Sequence, residues 1–158
     1  MQILDIHLHS KYSRACSKQL DLEHIAHWCA IKGIDIIGTS DFTHPAWFKE
    51  IGKKLEPMGN GLFRLNSPEL QKRAAQESEM TPLGNGAIGP QFMLSTEISC
   101  IYSQGGKVRR NHILVCFPEI DHVAKFIAAL EKKGGKLASD GRPILGMTSR
   151  DIAAMCMD

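Results

Sequence analysis

His7 and His9 stand two residues apart in Asp5-Ile6-His7-Leu8-His9-Ser10, after a short apolar opening. Neutral imidazoles are common ligands for zinc, iron and manganese. Alternate residues at a strand end can turn toward one point once the chain leaves the sheet. The spacing alone is a weak signal, because incidental surface or core histidines produce it too, but Asp5 beside the pair strengthens the metal reading. Asp41 and His44 lie in Gly38-Thr39-Ser40-Asp41-Phe42-Thr43-His44-Pro45, where a carboxylate and an imidazole could reach the same cavity. The bland alternative is Asp41 capping a helix that starts near Pro45, with His44 on the surface. Glu97 sits inside the apolar run around Leu94-Ser95-Thr96-Glu97-Ile98, and a buried carboxylate needs a compensating charge or a metal. His112 opens the run Ile113 to Phe117, a position where a lone histidine is more often a core residue than a ligand. As a set, successive strands each offer a His, Asp or Glu near an end, which is how a mixed oxygen and nitrogen polynuclear metal site is built.

The elements that must position these groups are legible. Gln2 to Leu8 alternates apolar and polar residues, as a strand delivering His7 and His9 to the polar loop Ser10 to Lys18. Asp21 to Lys32 carries Leu22, Ile25, Ala26, Cys29 and Ala30 at helical spacing, with Asp21 as N-cap and Gly33 as stop. Ile34 to Thr39 is a nearly continuous β-branched run, the pattern of a strand buried on both faces of a parallel sheet. Strand, helix and strand make a βαβ unit, and α/β sites gather at the carboxyl ends of strands. His9 and Asp41 both fall there.

Residues 55–90 change character, with Gly59-Asn60-Gly61, Pro68, Pro82, Gly84-Asn85-Gly86 and Gly89-Pro90 punctuating a polar stretch. They read as an irregular insertion with one short helix. Phe92 to Ile101, the turn Ser103-Gln104-Gly105-Gly106-Lys107 and Arg110 to Phe117 predict a hairpin. Pro118 to Lys133 predicts a helix ended by Gly134-Gly135, and Ser149 to Met157 begins another. No repeat or low-complexity tract is present.

With 158 residues, the chain has the length of one domain and can bury a core without disulfides. A formal charge of +2, from 19 basic and 17 acidic residues, gives no global footprint for nucleic acid. The apolar runs are too short to span a bilayer and the first residues lack a signal-peptide layout, so a cytoplasmic protein without a membrane partner is expected. Five cysteines with no CxxC pair predict reduced, mostly buried thiols rather than a disulfide framework or zinc ribbon. No GxxxxGK[ST] loop is present, which disfavours an NTPase.

The opening His-Leu-His-Ser, the Thr-Ser-Asp segment, the strand glutamate and the later strand histidine resemble the successive motifs of the PHP phosphoesterases. Within that superfamily, His-Leu-His-Ser-Lys-Tyr-Ser-Arg-Ala and Gly-Thr-Ser-Asp-Phe-Thr-His-Pro-Ala-Trp look most like the N-terminal part of the endonuclease Q family. The resemblance implies an α/β fold, the first part of a distorted (β/α)7 barrel left incomplete in this chain. It implies cleavage of DNA on the 5′ side of uracil, hypoxanthine and xanthine and at abasic sites, with two or three divalent ions (zinc, manganese, magnesium or iron) in the complete domain. Carried over by position, His7 and His9 are implied as ligands, Glu97 as a bridging ligand and His112 as a ligand of a second metal. Asp41 with His44 would be ligands or groups behind them. The chain departs from many PHP proteins in holding Tyr12 to Cys16 where a further histidine is usual, and Phe42 after Asp41. The later histidine, the Asp-x-His motif and the cysteine zinc module of the family are not in this sequence.

In the chemistry so implied, metals lower the pKa of a water that attacks phosphorus, with no covalent protein intermediate. Lys11 and Arg14, and Lys107, Arg109 and Arg110 on the hairpin, are candidates to hold DNA phosphates, against the alternative of solvated charge. Tyr12, Phe42 and Trp47 are candidates to stack on an extruded base, with core packing the stronger expectation for Phe42 and Trp47. Two rivals remain: a PHP phosphatase acting on a small phosphomonoester, and an inactive truncated PHP fragment.

Overall fold

The strongest local signals do form the first layer. In the computed structural model, which describes residues 2–79 and 89–157, helix α1 (Leu22–Lys32) starts where Asp21 accepts a hydrogen bond from the His24 amide at 2.9 Å. It ends at Gly33, whose φ of 68° is a left-handed conformation that glycine adopts without strain. Leu22, Ile25, Ala26, Cys29 and Ala30 form its buried stripe.

The sheet is built around one long strand. β1 (Leu4–Asp5) and β2 (Ile36–Gly38) pair in parallel, and β2 pairs in parallel with β5 (Gln91–Gln104). Between β2 and β5 run α2 (Pro45–Lys54), β3 (Leu55–Pro57), β4 (Phe63–Leu65) and α3 (Pro68–Glu79). After it come β6 (Lys107–Phe117), α4 (Ile120–Lys132), β7 (Ile144–Leu145) and α5 (Ser149–Met155). The main path runs β1-β2-β5-β4-β3, and β6 and β7 also pair with β5, giving among the described residues an open sheet of seven strands. β5 is buried without a break from Leu94 to Cys100, because it has strands on its edges and helices against the sheet. Phe42 and Trp47 are fully buried, with Phe42 in ring contact with Phe117 and Phe126. Both therefore serve the core and neither faces a base-stacking surface.

Several elements differ from the sequence expectation. The first strand is regular only at Leu4–Asp5, since it has β2 on one edge and remains exposed; the histidines follow it outside any strand. Within 55–90, β3 and β4 form a short antiparallel pair and β4 touches β5 at Phe63 and Phe92, so this segment extends the sheet as well as carrying a helix. Its residues 80–88 lie outside the described set. β7 has only two residues, too few to leave a sequence pattern. Among the cysteines, all free, Cys29 and Cys100 are buried while Cys116 is exposed, so the expectation of mostly buried thiols holds only in part. Burial pushes the Cys29 thiol up to about 12. Among the described residues, no helix is long and apolar enough to cross a membrane.

Candidate metal centre

The carboxyl ends of β1 and β2 and the middle of β5 deliver the candidate residues to one place. The link between them is partly forced by Gly38, where a Cβ would come within 2.4 Å of Ser95 Oγ. Beyond it the chain turns through Ser40 and Asp41, with φ of 55° and 46°, a left-handed pair unusual for non-glycine residues. Three contacts hold this turn. Trp47 Nε1 donates to the carbonyls of Thr39 (3.0 Å) and Ser40 (2.8 Å), and the Ser40 hydroxyl donates to the Leu8 carbonyl.

Glu97, 1 % exposed, is the centre of the cluster. Its Oε2 lies 3.3 Å from His7 Nε2 and 3.1 Å from His9 Nε2, and its Oε1 lies 2.5 Å from His112 Nδ1. His112 reaches it because Ser99 is its cross-strand partner and Glu97 stands two residues along β5 on the same face. The Ser99 hydroxyl meets His112 Nε2 at 3.2 Å. Burial pushes the Glu97 carboxyl up, but the His7 ring, the Arg142 guanidinium and the His112 ring outweigh it and hold the group below the usual carboxylate range.

Asp41 is fully buried and has no vacant lone pairs to offer. Its Oδ2 accepts from the Ser10 amide (2.6 Å), the Ser10 hydroxyl (2.8 Å) and the Ser13 hydroxyl (2.8 Å). Its Oδ1 faces His9 Nδ1 at 3.1 Å and lies 3.2 Å from the Ser40 hydroxyl, whose one proton is directed mainly at the Leu8 carbonyl. A carboxylate so placed keeps the His9 proton on Nδ1 and leaves Nε2 with a lone pair, the usual way a ligand imidazole is oriented.

That assignment exposes a mismatch. His9 Nε2 and Glu97 Oε2 are then two acceptors facing each other, and among the described residues the buried Oε2 accepts no well-formed hydrogen bond, with His7 Nε2 at 3.3 Å and Arg142 Nη1 at 3.7 Å as its nearest cationic or donor groups. The ligand atoms of His7, His9 and Glu97 all lie within 4.8 Å of one another. Two ligand atoms on one tetrahedral zinc are separated by about 3.4 Å, from bonds of about 2.1 Å. The donor set and its spacing therefore fit a divalent cation.

The other candidates are dispersed. His44 is buried at the start of α2, stacks on Tyr12 at 4.4 Å, and lies outside the His7, His9 and Glu97 group. Burial lowers its pKa, against the opposing effects of a hydrogen bond with the Ala138 backbone and of Asp41 and Asp140. Lys11 pairs with Glu50 at 2.9 Å, and Tyr12 donates to the same carboxylate at 2.7 Å, so both are held within the fold. Arg14 is exposed, with its Nε 3.4 Å from Asp140. On β6, alternation divides the hairpin cations: Arg110 shares the His112 face, whereas Lys107 and Arg109 point the other way.

Sequence reasoning missed the groups that hold Asp41, Ser10 and Ser13, and it missed the loop of Gly141 and Arg142. No motif marks them. Gly141 packs so closely that a Cβ would lie 2.3 Å from Asp41 Oδ2 and 2.4 Å from Ser13 Oγ. Gly141→Ala is accordingly expected to destabilise the chain by about 1–3 kcal/mol through overpacking, read from the urea midpoint. A variant as stable as the parent would mean that this loop yields without disturbing Asp41.

No family model matches the chain. Two solved structures are similar to it: the lesion-specific endonuclease PfuEndoQ from Pyrococcus furiosus, and endonuclease Q in complex with a 27-mer duplex substrate with an abasic lesion at the active site. Each has a TM-score of 0.72 and 30% identity over 98% of this chain. An uncharacterized protein of Methanocaldococcus jannaschii is 24% identical over 155 residues. The chain spans 31% and 32% of the two solved chains and 15% of the archaeal relative.

Proposed function

We propose that this chain carries the amino-terminal part of a PHP-type, metal-dependent phosphodiesterase centre, and that its activity is incision of DNA 5′ of deaminated bases and at abasic sites. The observation that carries the reading is the buried Oε2 of Glu97, which accepts no well-formed hydrogen bond among the described residues and faces the Nε2 atoms of His7 and His9. The similarity to endonuclease Q, one structure of which is a complex with abasic DNA, supports the choice of substrate. In this reading the chain is one partial domain, with residues 55–90 inserted between its second and third parallel-sheet motifs.

His7, His9 and Glu97 would hold one cation, and Glu97 with His112 would serve a second. Bound cations supply Lewis acidity and lower the pKa of a water for attack on phosphorus. The chain's own residues orient and neutralise. Asp41 fixes the His9 tautomer, Ser99 steadies His112, and Arg110 on the His112 face is placed to meet a phosphate. His7, with 58% of its side chain exposed, leaves the centre open on one side. That openness suits a polymer strand better than a small enclosed phosphomonoester.

The test is incubation of the chain with an end-labelled duplex containing one abasic site, and separately with p-nitrophenyl phosphate, each with manganese or zinc. Incision on the 5′ side, abolished by chelator and by His7→Ala/His9→Ala, is expected. Hydrolysis of the nitrophenyl ester without incision would replace this reading by the phosphomonoesterase one.

A further inference from the structure

We propose that the cleft beside the His7, His9 and Glu97 cluster is an anion subsite that binds a backbone phosphate of a nucleic-acid strand, with Arg142 as its principal donor. The proposal rests on the phosphodiesterase reading above for the identity of the strand. The cleft, about 540 Å³, runs from His9 and Ser13 to the segment that follows α4. Arg14, Lys133, Lys136 and Arg142 line it against one acid, Asp140, so its field favours an anion although the chain as a whole is nearly neutral.

Arg142 is the cation next to the cluster. Its Nη1 is 3.7 Å from Glu97 Oε2, too far for a hydrogen bond, so the contact orients the guanidinium without using its donors. Its backbone is fixed on both sides. The Gly141 amide donates to the Tyr12 carbonyl at 3.2 Å, and the Pro143 carbonyl accepts from the Ser99 amide of β5 at 3.0 Å. The Arg142 amide itself donates to Asp140 Oδ1 at 3.1 Å, and the other oxygen of Asp140 faces Arg14. A planar donor fork is thus held in place at the edge of the metal cluster, 40% exposed toward the cleft. A guanidinium in such a place offers the paired donors that take a phosphate bidentately.

The test is fluorescence anisotropy of a labelled single-stranded 12-mer oligodeoxythymidylate with the whole chain in EDTA, across a range of salt. Arg142→Gln is expected to weaken binding about tenfold and to reduce the salt slope by about 0.7, the value for one phosphate contact on a single strand. Arg142→Lys should keep the slope, and Lys125→Gln, the same charge change on the exposed face of α4, should leave binding close to the parent. Equal behaviour of Arg142→Gln and Lys125→Gln would overturn the subsite. Calorimetric cation binding by Arg142→Gln separates the remaining possibilities: retained binding with loss of the strand supports it, and joint loss would show that Arg142 only steadies Glu97. Failure of the parent chain to incise DNA, with the strand effect intact, would remove the catalytic reading and leave the subsite.

Discussion

Glu97→Gln should abolish the chain's response to divalent cations while leaving it folded. Glutamine has the same shape but carries no charge, and it presents an amide to one of the nitrogens the carboxylate faces. Partners behind a ligand are worth about 10–100-fold in metal affinity, so loss of a ligand carboxylate should exceed about 100-fold. In the parent, cation at a hundred times its dissociation constant adds about 2.7 kcal/mol of stability. For a chain of this size that is a rise in Tm of about 5–10 °C, and the variant should show none. Metal-free stability should fall as well, because the carboxyl is held below its ordinary range by His7, Arg142 and His112 against the cost of burial. That contribution is present above the ordinary glutamate range and is lost as pH falls through the lower folded value, so the variant should have a flatter acid limb. A cation-induced shift equal to the parent's would exclude Glu97 from the centre.

Asp41→Asn should cost both affinity and stability, for a reason that differs from charge loss alone. Asp41 has a φ of 46°, and asparagine tolerates that conformation, so the backbone is kept. The Ser10 amide is a donor that cannot reverse, so the asparagine oxygen must stay on that side and its NH2 must face His9 Nδ1. His9 then moves its proton to Nε2, the nitrogen that faces Glu97. Cation affinity is expected to drop about 10–100-fold. Stability should drop by about 1–3 kcal/mol through the altered buried network, read by urea denaturation beside isothermal titration. Parent-like cation affinity would show that the His9 tautomer is not set by Asp41.

What could be read from the residues follows from how local each signal is. α1 was legible because its stripe, its Asp21 cap and its Gly33 stop lie within one short segment. The hairpin of β5 and β6 was legible because Gly105 and Gly106, both with positive φ, separate two apolar runs. β3, β4 and β7 have only two or three residues each, and they exist because β5 offers an edge to β4 and β7, and β4 in turn offers one to β3. The convergence of His7, His9 and Glu97 was anticipated, although Glu97 comes from the middle of β5 rather than from a strand end. The division of labour was not, since only tertiary contacts reveal that Asp41 has every oxygen engaged and that His44 is stacked under Tyr12. Gly141 and Arg142 come from a loop about a hundred residues after Asp41 and carry no pattern; their proximity is a product of the sheet.

Elemental analysis of the purified chain after dialysis against chelator-free buffer, beside a His7→Ala/His9→Ala variant, tests the central claim most directly. The account predicts near-stoichiometric transition metal in the parent and its loss in the variant. Absence of metal from both would contradict it and would leave the facing nitrogens and carboxylate of His7, His9 and Glu97 as a cluster that this chain does not use to hold a cation.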